Sequence, residues 1–388
     1  SYRNRKQMSP IIPEKLKGIY EENEYARQQA YQKENSRFGI FSGLFSFCLI
    51  LIMLVFKLFG YLDISLREYI CNPVLLTLAF LGILYIFNDI LSIPFDYYAT
   101  FVIEEKFGFN KSTHKTFWFD ELKNILLSII VGGGILAVIV WIAGNIGEFW
   151  WLYAWGAVTL FSLLMTFFYS DIIVPLFNRQ TPLESGELRD AIEDLARKAE
   201  FNLKNIYVMD ASKRSSKGNA YFTGFGAKKR IVLYDTLIKD LSTQEIVAVL
   251  AHEIGHYKKK HVIKHMAAAI VHTGIMLYIL SLLLSNQSLA NALGGETPSF
   301  HLGIIAFSIL FTPMSLALGI VTNISSRKHE FQADAYAAGF GLSEYLVSGL
   351  KKLSVKSLSN LNPDRWYVFF HYSHPTLLQR IERLENKQ

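Results

Sequence analysis

Six long apolar runs, separated by polar stretches, set the pattern of this chain. Residues 38–56 form nineteen positions without a charge, enough to cross a bilayer core of roughly 30 Å. Runs at 73–88 (extending to Pro94), 124–147, 149–170, 266–285 and 301–326 repeat the signal, the last with Pro313 inside it. Six such runs cannot be packed as one soluble core, so the pattern predicts a multi-span helical membrane protein whose first partner is the lipid bilayer. Asp89, Asp96 and Asp171 lie at or near the ends of the second and fourth runs. Ionisable groups at such depths face an interface or an interior cavity.

The polar stretches divide the rest. Residues 1–37 read as a polar lead, helical or irregular, and 101–110 as a polar, aromatic loop with no chemistry of its own. Residues 172–262 form the long polar region. There 187–200 reads as an amphipathic helix and 205–209 as a strand, while 219–223 and 230–234 read as a hairpin around the turn 224–229. This is a small α+β unit inserted between spans. After the sixth run, 327–339 continues as a helix, 343–356 forms another, and a short helix starts from Pro375. The expected parts are therefore 1–171 (membrane helices and loops), 172–262 (the insert), 263–326 (two further spans) and 327–388 (a helical C-terminal part).

Composition agrees: 51% hydrophobic and 19% charged, with mean hydropathy +0.23. The net charge of +6 reads as juxtamembrane Lys and Arg, so no nucleic-acid partner is expected. Cys48 and Cys71 lie in or beside apolar runs and read as core residues, with no disulfide framework.

The chemistry concentrates at His252-Glu253-Ile-Gly-His256. Ser242, with Glu245 three residues later, reads as a capping box opening the helix that carries it. Two histidines four apart share a helical face and can hold one Zn²⁺, with Glu253 beside the first, where it could polarise a water. The motif alone also fits an exposed helix with two ordinary histidines. A metzincin would need Gly and His where Lys259 and Val262 stand. The best third donor is Glu330, with Asp334 four residues on, able to accept the free ring N–H of a ligand histidine. The bland alternative for that pair is a solvated acidic helix face. His374, just before Pro375, and Arg380 could donate to a developing oxyanion, or be a structural histidine and a surface arginine. Asn219 opens the hairpin; if that strand is an edge, a peptide can add to it.

Taken together, His252–His256, the 330–336 stretch, Ser215-Ser-Lys-Gly-Asn219-Ala-Tyr-Phe-Thr-Gly224, Glu104-Glu-Lys-Phe-Gly-Phe-Asn110 and His371-Tyr-Ser-His-Pro375 resemble the type 1 CAAX prenyl proteases, integral-membrane zinc endopeptidases of the gluzincin kind. The resemblance implies an all-α membrane protein of about seven spans, six of them visible here, enclosing an intramembrane chamber with a small inserted α+β protease domain. It implies one Zn²⁺ per chain on His252, His256 and Glu330, with Glu253 as base, and Asn219, His374 and Arg380 contacting substrate or transition state. The substrate implied is a prenylated protein or peptide cut near its C-terminus, with no oligomer required. The membrane would be the inner membrane of a bacterium, or the endoplasmic reticulum and inner nuclear membrane of a eukaryote. Two other functions fit parts of the pattern: a membrane-protein quality-control metalloprotease, and a non-proteolytic zinc-containing scaffold. A site-2-type protease is disfavoured, because Lys258–Lys260 follow the motif directly.

Overall fold

The computed structural model describes residues 2–6, 8, 11–12, 14, 17–223 and 230–386. Each of the six apolar runs becomes a helix long enough to span, or half of a bent one. The first is α1 (Glu22–Val55); α2 (Pro73–Tyr98) is the second and runs on to Glu104; α3 (His114–Leu127) and α4 (Gly133–Asn145) make the third; α5 (Trp150–Phe168) continues to Phe177 as the fourth. The insert follows: β1 (Gln180–Pro182), α6 (Glu187–Lys198), β2 (Asn205–Met209), β3 (Ala220–Thr223), β4 (Arg230–Tyr234) and α7 (Thr243–Lys258). Then α8 (His261–Leu283) is the fifth span, and α9 (Phe300–Leu310) with α10 (Thr312–Ala338) is the sixth, bent by 57°. The bend falls where Pro313 sits in the first turn of α10, the one place a helix tolerates its missing N–H. The chain closes with α11 (Ser343–Lys356), α12 (Arg365–His371) and α13 (Leu377–Glu385).

Three expectations change. First, the polar lead and the first span are one helix from Glu22, and Tyr25, Gln28 and Tyr31 on one face of its start are buried. The two tyrosines enter the core of the insert, beside Tyr20, whose hydroxyl donates to the Ser354 carbonyl at 2.8 Å. Second, the 101–110 stretch is a strap. Ile103, Phe107 and Phe109 are buried in that same core, and the Ser216 N–H donates to the Phe109 carbonyl at 3.1 Å. The neighbouring Lys111 N–H donates to the Arg214 carbonyl at 3.0 Å, and Arg214 grips Asp120 of α3 through two bonds of 2.7 and 2.8 Å. Third, Cys48 and Cys71 are exposed. An apolar run does not say which side faces protein and which faces lipid, and these two cysteines are not core residues. Asp171 pairs with Arg230 of β4, which ties the fourth span to the sheet.

The sheet has the order β1-β2-β4-β3. Strands β2 and β4 are parallel, with Ile206 opposite Ile231, and β3 is antiparallel to β4, with Ala220 opposite Leu233. Strand β1 is three residues long and ends in Pro182, too short for any alternation to reveal it. The hairpin turn 224–229 lies outside the described residues. Ile206, Ile231 and Leu233 share the core with Ile246, Leu250 and Ile254 of α7, so the sheet is the platform on which the motif helix rests.

The start of α7 is firmly fixed. Ser242 and Glu245 form the reciprocal capping box, and buried Glu245 also accepts from Ser348 at 2.7 Å and Lys352 at 2.8 Å, both on α11. Burial alone would raise the Glu245 carboxyl, but the bonds from Lys352, Ser348 and Ser242 hold it below the usual carboxylate range. A carboxyl held low in the folded state stabilises above its unfolded pKa of about 4.3, and that contribution fades as pH falls through the folded value. Glu245→Ala should therefore cost about 2 kcal/mol near neutral pH. The gap from wild type should narrow as pH drops below about 4. Thermal unfolding across a pH series checks it; a pH-independent difference would contradict it.

Candidate metal centre

Helix α7 brings His252 and His256 to one face, and α10 lies against that face. The approach is close because the residues between them are small: Ala251 and Gly255 on α7, Ala333 and Ala337 on α10, all buried. A Cβ on Gly255 would sit 3.0 Å from the Tyr336 Cβ and 3.1 Å from the Ala333 Cα. The glycine within the motif therefore sets the spacing between the helix of the histidines and the helix of the carboxylates. Gly255→Ala is expected to force the helices apart and to destabilise by about 1–3 kcal/mol. Metal affinity should fall with it, since Glu330 moves with α10. Chelator competition and thermal unfolding test this; both unchanged would rule it out.

The structure brings His252, His256 and Glu330 together, with one donor atom of each within 4.8 Å of the others. His252 Nε2 is 3.1 Å from His256 Nε2 and 3.5 Å from Glu330 Oε2; His256 Nε2 is 3.3 Å from Glu330 Oε1. Tetrahedral donors held 2.0–2.1 Å from a zinc ion stand about 3.3–3.4 Å apart. The two imidazole nitrogens and the Glu330 carboxylate, which turns one oxygen to each of them, thus stand at spacings close to those of such a site, and their chemistry fits zinc.

The surroundings orient these donors. Asp334 Oδ1 lies 2.8 Å from His252 Nδ1, so that ring's other nitrogen turns to the centre. Arg380, 9% exposed, donates to Asp334 through Nε (2.9 Å) and NH2 (2.6 Å), and its NH1 is 3.7 Å from Glu330 Oε2. Burial disfavours a charged His252, but its bonds to Asp334 and Glu330 outweigh that and raise it to about 9. The proton it then holds occupies the position a metal would take, so metal binding weakens as pH falls. Burial pushes the Glu253 carboxyl up, against the pull of His252 and His256. A dication alongside would draw it back down.

His374 lies at the rim. Its side chain is 64% exposed, with Nε2 3.5 Å from Glu330 Oε1. Asn219 is exposed and immediately precedes the edge strand β3; its Oδ1 accepts the Ala220 N–H at 2.8 Å. Sequence reasoning passed over His261, which is 1% exposed with Nδ1 3.1 Å from His256 Nδ1. Its spacing, five residues past His256 across a lysine turn, carries no recognisable motif.

Residues 182–388 match the model of peptidase family M48, and residues 1–179 match that of the CAAX prenyl protease N-terminal region, described as five membrane helices. The chain belongs to peptidase family M48. A CAAX prenyl protease 1 homolog of Oryza sativa subsp. japonica is 39% identical, over 97% of this chain and 91% of its own length. CAAX prenyl protease 1 of Saccharomyces cerevisiae is 35% identical, over 99% and 91%. The crystal structure of S. mikatae Ste24p superposes with a TM-score of 0.93 at 34% identity, covering 99% of this chain and 94% of that one. This M48 protein is thus a membrane metalloendopeptidase, its spans enclosing a chamber and its protease domain inserted among them, and the family implies a metal cofactor.

Proposed function

We propose that this M48 protein is a zinc-dependent endopeptidase that cleaves prenylated proteins near the C-terminus, with one zinc held by His252, His256 and Glu330. The names of its relatives support the substrate class. The observation that carries the reading is the convergence of His252, His256 and the Glu330 carboxylate, whose nearest N···N and N···O contacts are 3.1, 3.3 and 3.5 Å, with Glu253 next to His252 in the motif. Three protein donors leave a fourth position free, as a hydrolytic site requires and a structural site does not.

Bound there, zinc supplies Lewis acidity and brings the pKa of a water near 7. Glu253 accepts the proton of the attacking water and returns it to the leaving amine. His374, exposed at the rim, donates to the oxyanion. Arg380, expected from its position to share that task, is buried and committed to Asp334. Its role is to hold Asp334, and through it the His252 ring. The peptide adds to the free edge of β3 through main-chain hydrogen bonds, and the amide N–H₂ of Asn219, without a partner among the described residues, meets a substrate carbonyl. All these residues come from one chain, so no oligomer is needed. The relatives named above are eukaryotic, which supports the endoplasmic reticulum and inner nuclear membrane as its location.

The test is a quenched, farnesylated C-terminal CaaX peptide. Cleavage three residues from its end, abolished by a chelator and restored by zinc, is the expected result. A zinc-loaded enzyme that spares this peptide but degrades unprenylated membrane proteins would replace the reading with quality control.

A further inference from the structure

We infer that His261 is a positioning residue for His256, acting through a hydrogen-bond relay that ends on Gln332. The inference rests on His256 being a metal ligand. Helix α7 ends at Lys258, and Lys260 takes the left-handed conformation at φ 58°. That conformation is unfavourable for a residue with a side chain, by about 1 kcal/mol or more. Here it folds α8 back so that its first residue, His261, lands against His256. His261 Nε2 lies 2.8 Å from Gln332 Oε1, and its ring stacks on His329 at 4.0 Å, with 12° between planes.

The proton positions follow in order. A carbonyl oxygen only accepts, so His261 carries its proton on Nε2 and leaves Nδ1 as an acceptor. The partner of that Nδ1, 3.1 Å away, is His256 Nδ1, which must donate. His256 then presents a bare Nε2 to the centre. Asp334 does the same for His252. One stretch of α10 therefore provides Glu330 and sets both histidine tautomers, one directly and one through His261. Sequence spacing could not reveal this, because Gln332 lies on a different face of α10 from Glu330 and Asp334.

The test is zinc affinity of the purified full chain by competition with a chromophoric chelator, alongside thermal unfolding of the zinc-free chain. His261→Ala should bind about 10–100-fold more weakly. His261→Asn, whose Oδ1 can stand where Nδ1 stood, should stay nearer to wild type than to His261→Ala. Gln332→Leu should weaken binding, and Gln332→Glu should not. Wild-type affinity in His261→Ala, or equal losses in the Ala and Asn variants, overturns the relay. If His261→Ala does not fold, the Gln332 pair decides, and no difference between them overturns it too. His256→Ala separates the two levels: unchanged affinity there would sink the ligand assignment itself.

A different observation carries a second inference. Between α1 and the end of α2 lies a cleft of about 810 Å³, walled by Phe38, Phe41, Phe95 and Tyr98. Phe38 stacks on Tyr98 at 5.4 Å, and the Phe95 ring lies 6.0 Å from Phe41. On its rim Lys33 and Arg37, one helical turn apart, are exposed and have no anionic partner among the described residues. Lys106 across the cleft is neutralised by Glu34 at 2.7 Å. The two free cations immediately precede the apolar run that begins at Phe38, which sets them at headgroup depth. We propose that the cleft binds one anionic phospholipid, the phosphate at Lys33 and Arg37 and an acyl chain among the rings.

Native mass spectrometry from nanodiscs mixing phosphatidylglycerol and phosphatidylcholine tests this. The wild type should retain phosphatidylglycerol preferentially, and Lys33→Gln/Arg37→Gln should lose about fivefold for each charge removed. Equal retention of both lipids, or retention unchanged in the double variant, overturns it. So does a double variant whose only change is a raised KM for a prenylated peptide, since the cleft would then belong to substrate.

Discussion

Glu253→Gln is expected to keep its zinc and to lower kcat at least about 10³-fold. The substitution preserves shape and removes only the ability to take up a proton. Glu253 is not one of the three converging donors, and burial raises its carboxyl above the usual carboxylate range. Zinc content by atomic spectroscopy and single-turnover cleavage, measured on the same preparation, separate the two effects. A variant that loses both zinc and activity would make Glu253 a structural residue. One that keeps both would move the base elsewhere.

The second large effect is expected at Arg380. Arg380→Met should destabilise the chain by roughly 3–5 kcal/mol, because it leaves buried carboxylates without their cation. Asp334 loses two hydrogen bonds, of 2.6 and 2.9 Å, and Glu330 loses the guanidinium 3.7 Å away. With zinc bound as proposed, Glu330 would be compensated but Asp334 would not, so the loss should be larger in the zinc-free chain than in the loaded one. Thermal unfolding with and without zinc measures this. Equal shifts in the two states would mean that Arg380 does not share the electrostatics of the centre.

The spans and the motif helix were legible in the sequence because their signals are local. A run without charges is a span whatever surrounds it, and Ser242 with Glu245 marks a helix start from adjacent residues alone. Glu330 and Asp334 were reachable because four residues is one helical turn and a metal needs a third donor. What escaped depends on how elements meet. Lys260 takes a conformation that its residue type does not announce, so His261 stayed out of view. The burial of Tyr25, Tyr31, Phe107 and Phe109 comes from docking between distant segments, while the exposure of Cys48 depends on how its helix is turned about its axis and that of Cys71 on its place in the irregular stretch before α2. The surface alternative for Arg380 fails because its partner, the buried Asp334, lies far away in the chain.

The two halves of the metal centre reach the ribosome exit at different times. The histidine pair on α7 emerges with the insert, before either of the last two spans. Glu330 and Asp334 arrive only after α9 and the bent continuation into α10 have been threaded into the bilayer, and Arg380 comes later still, in the closing helix. A nascent chain that stalls before its sixth span therefore holds two histidines and no hydrolytic centre. On the proposed ligand set, the order of the elements alone puts completion of the centre after the sixth span.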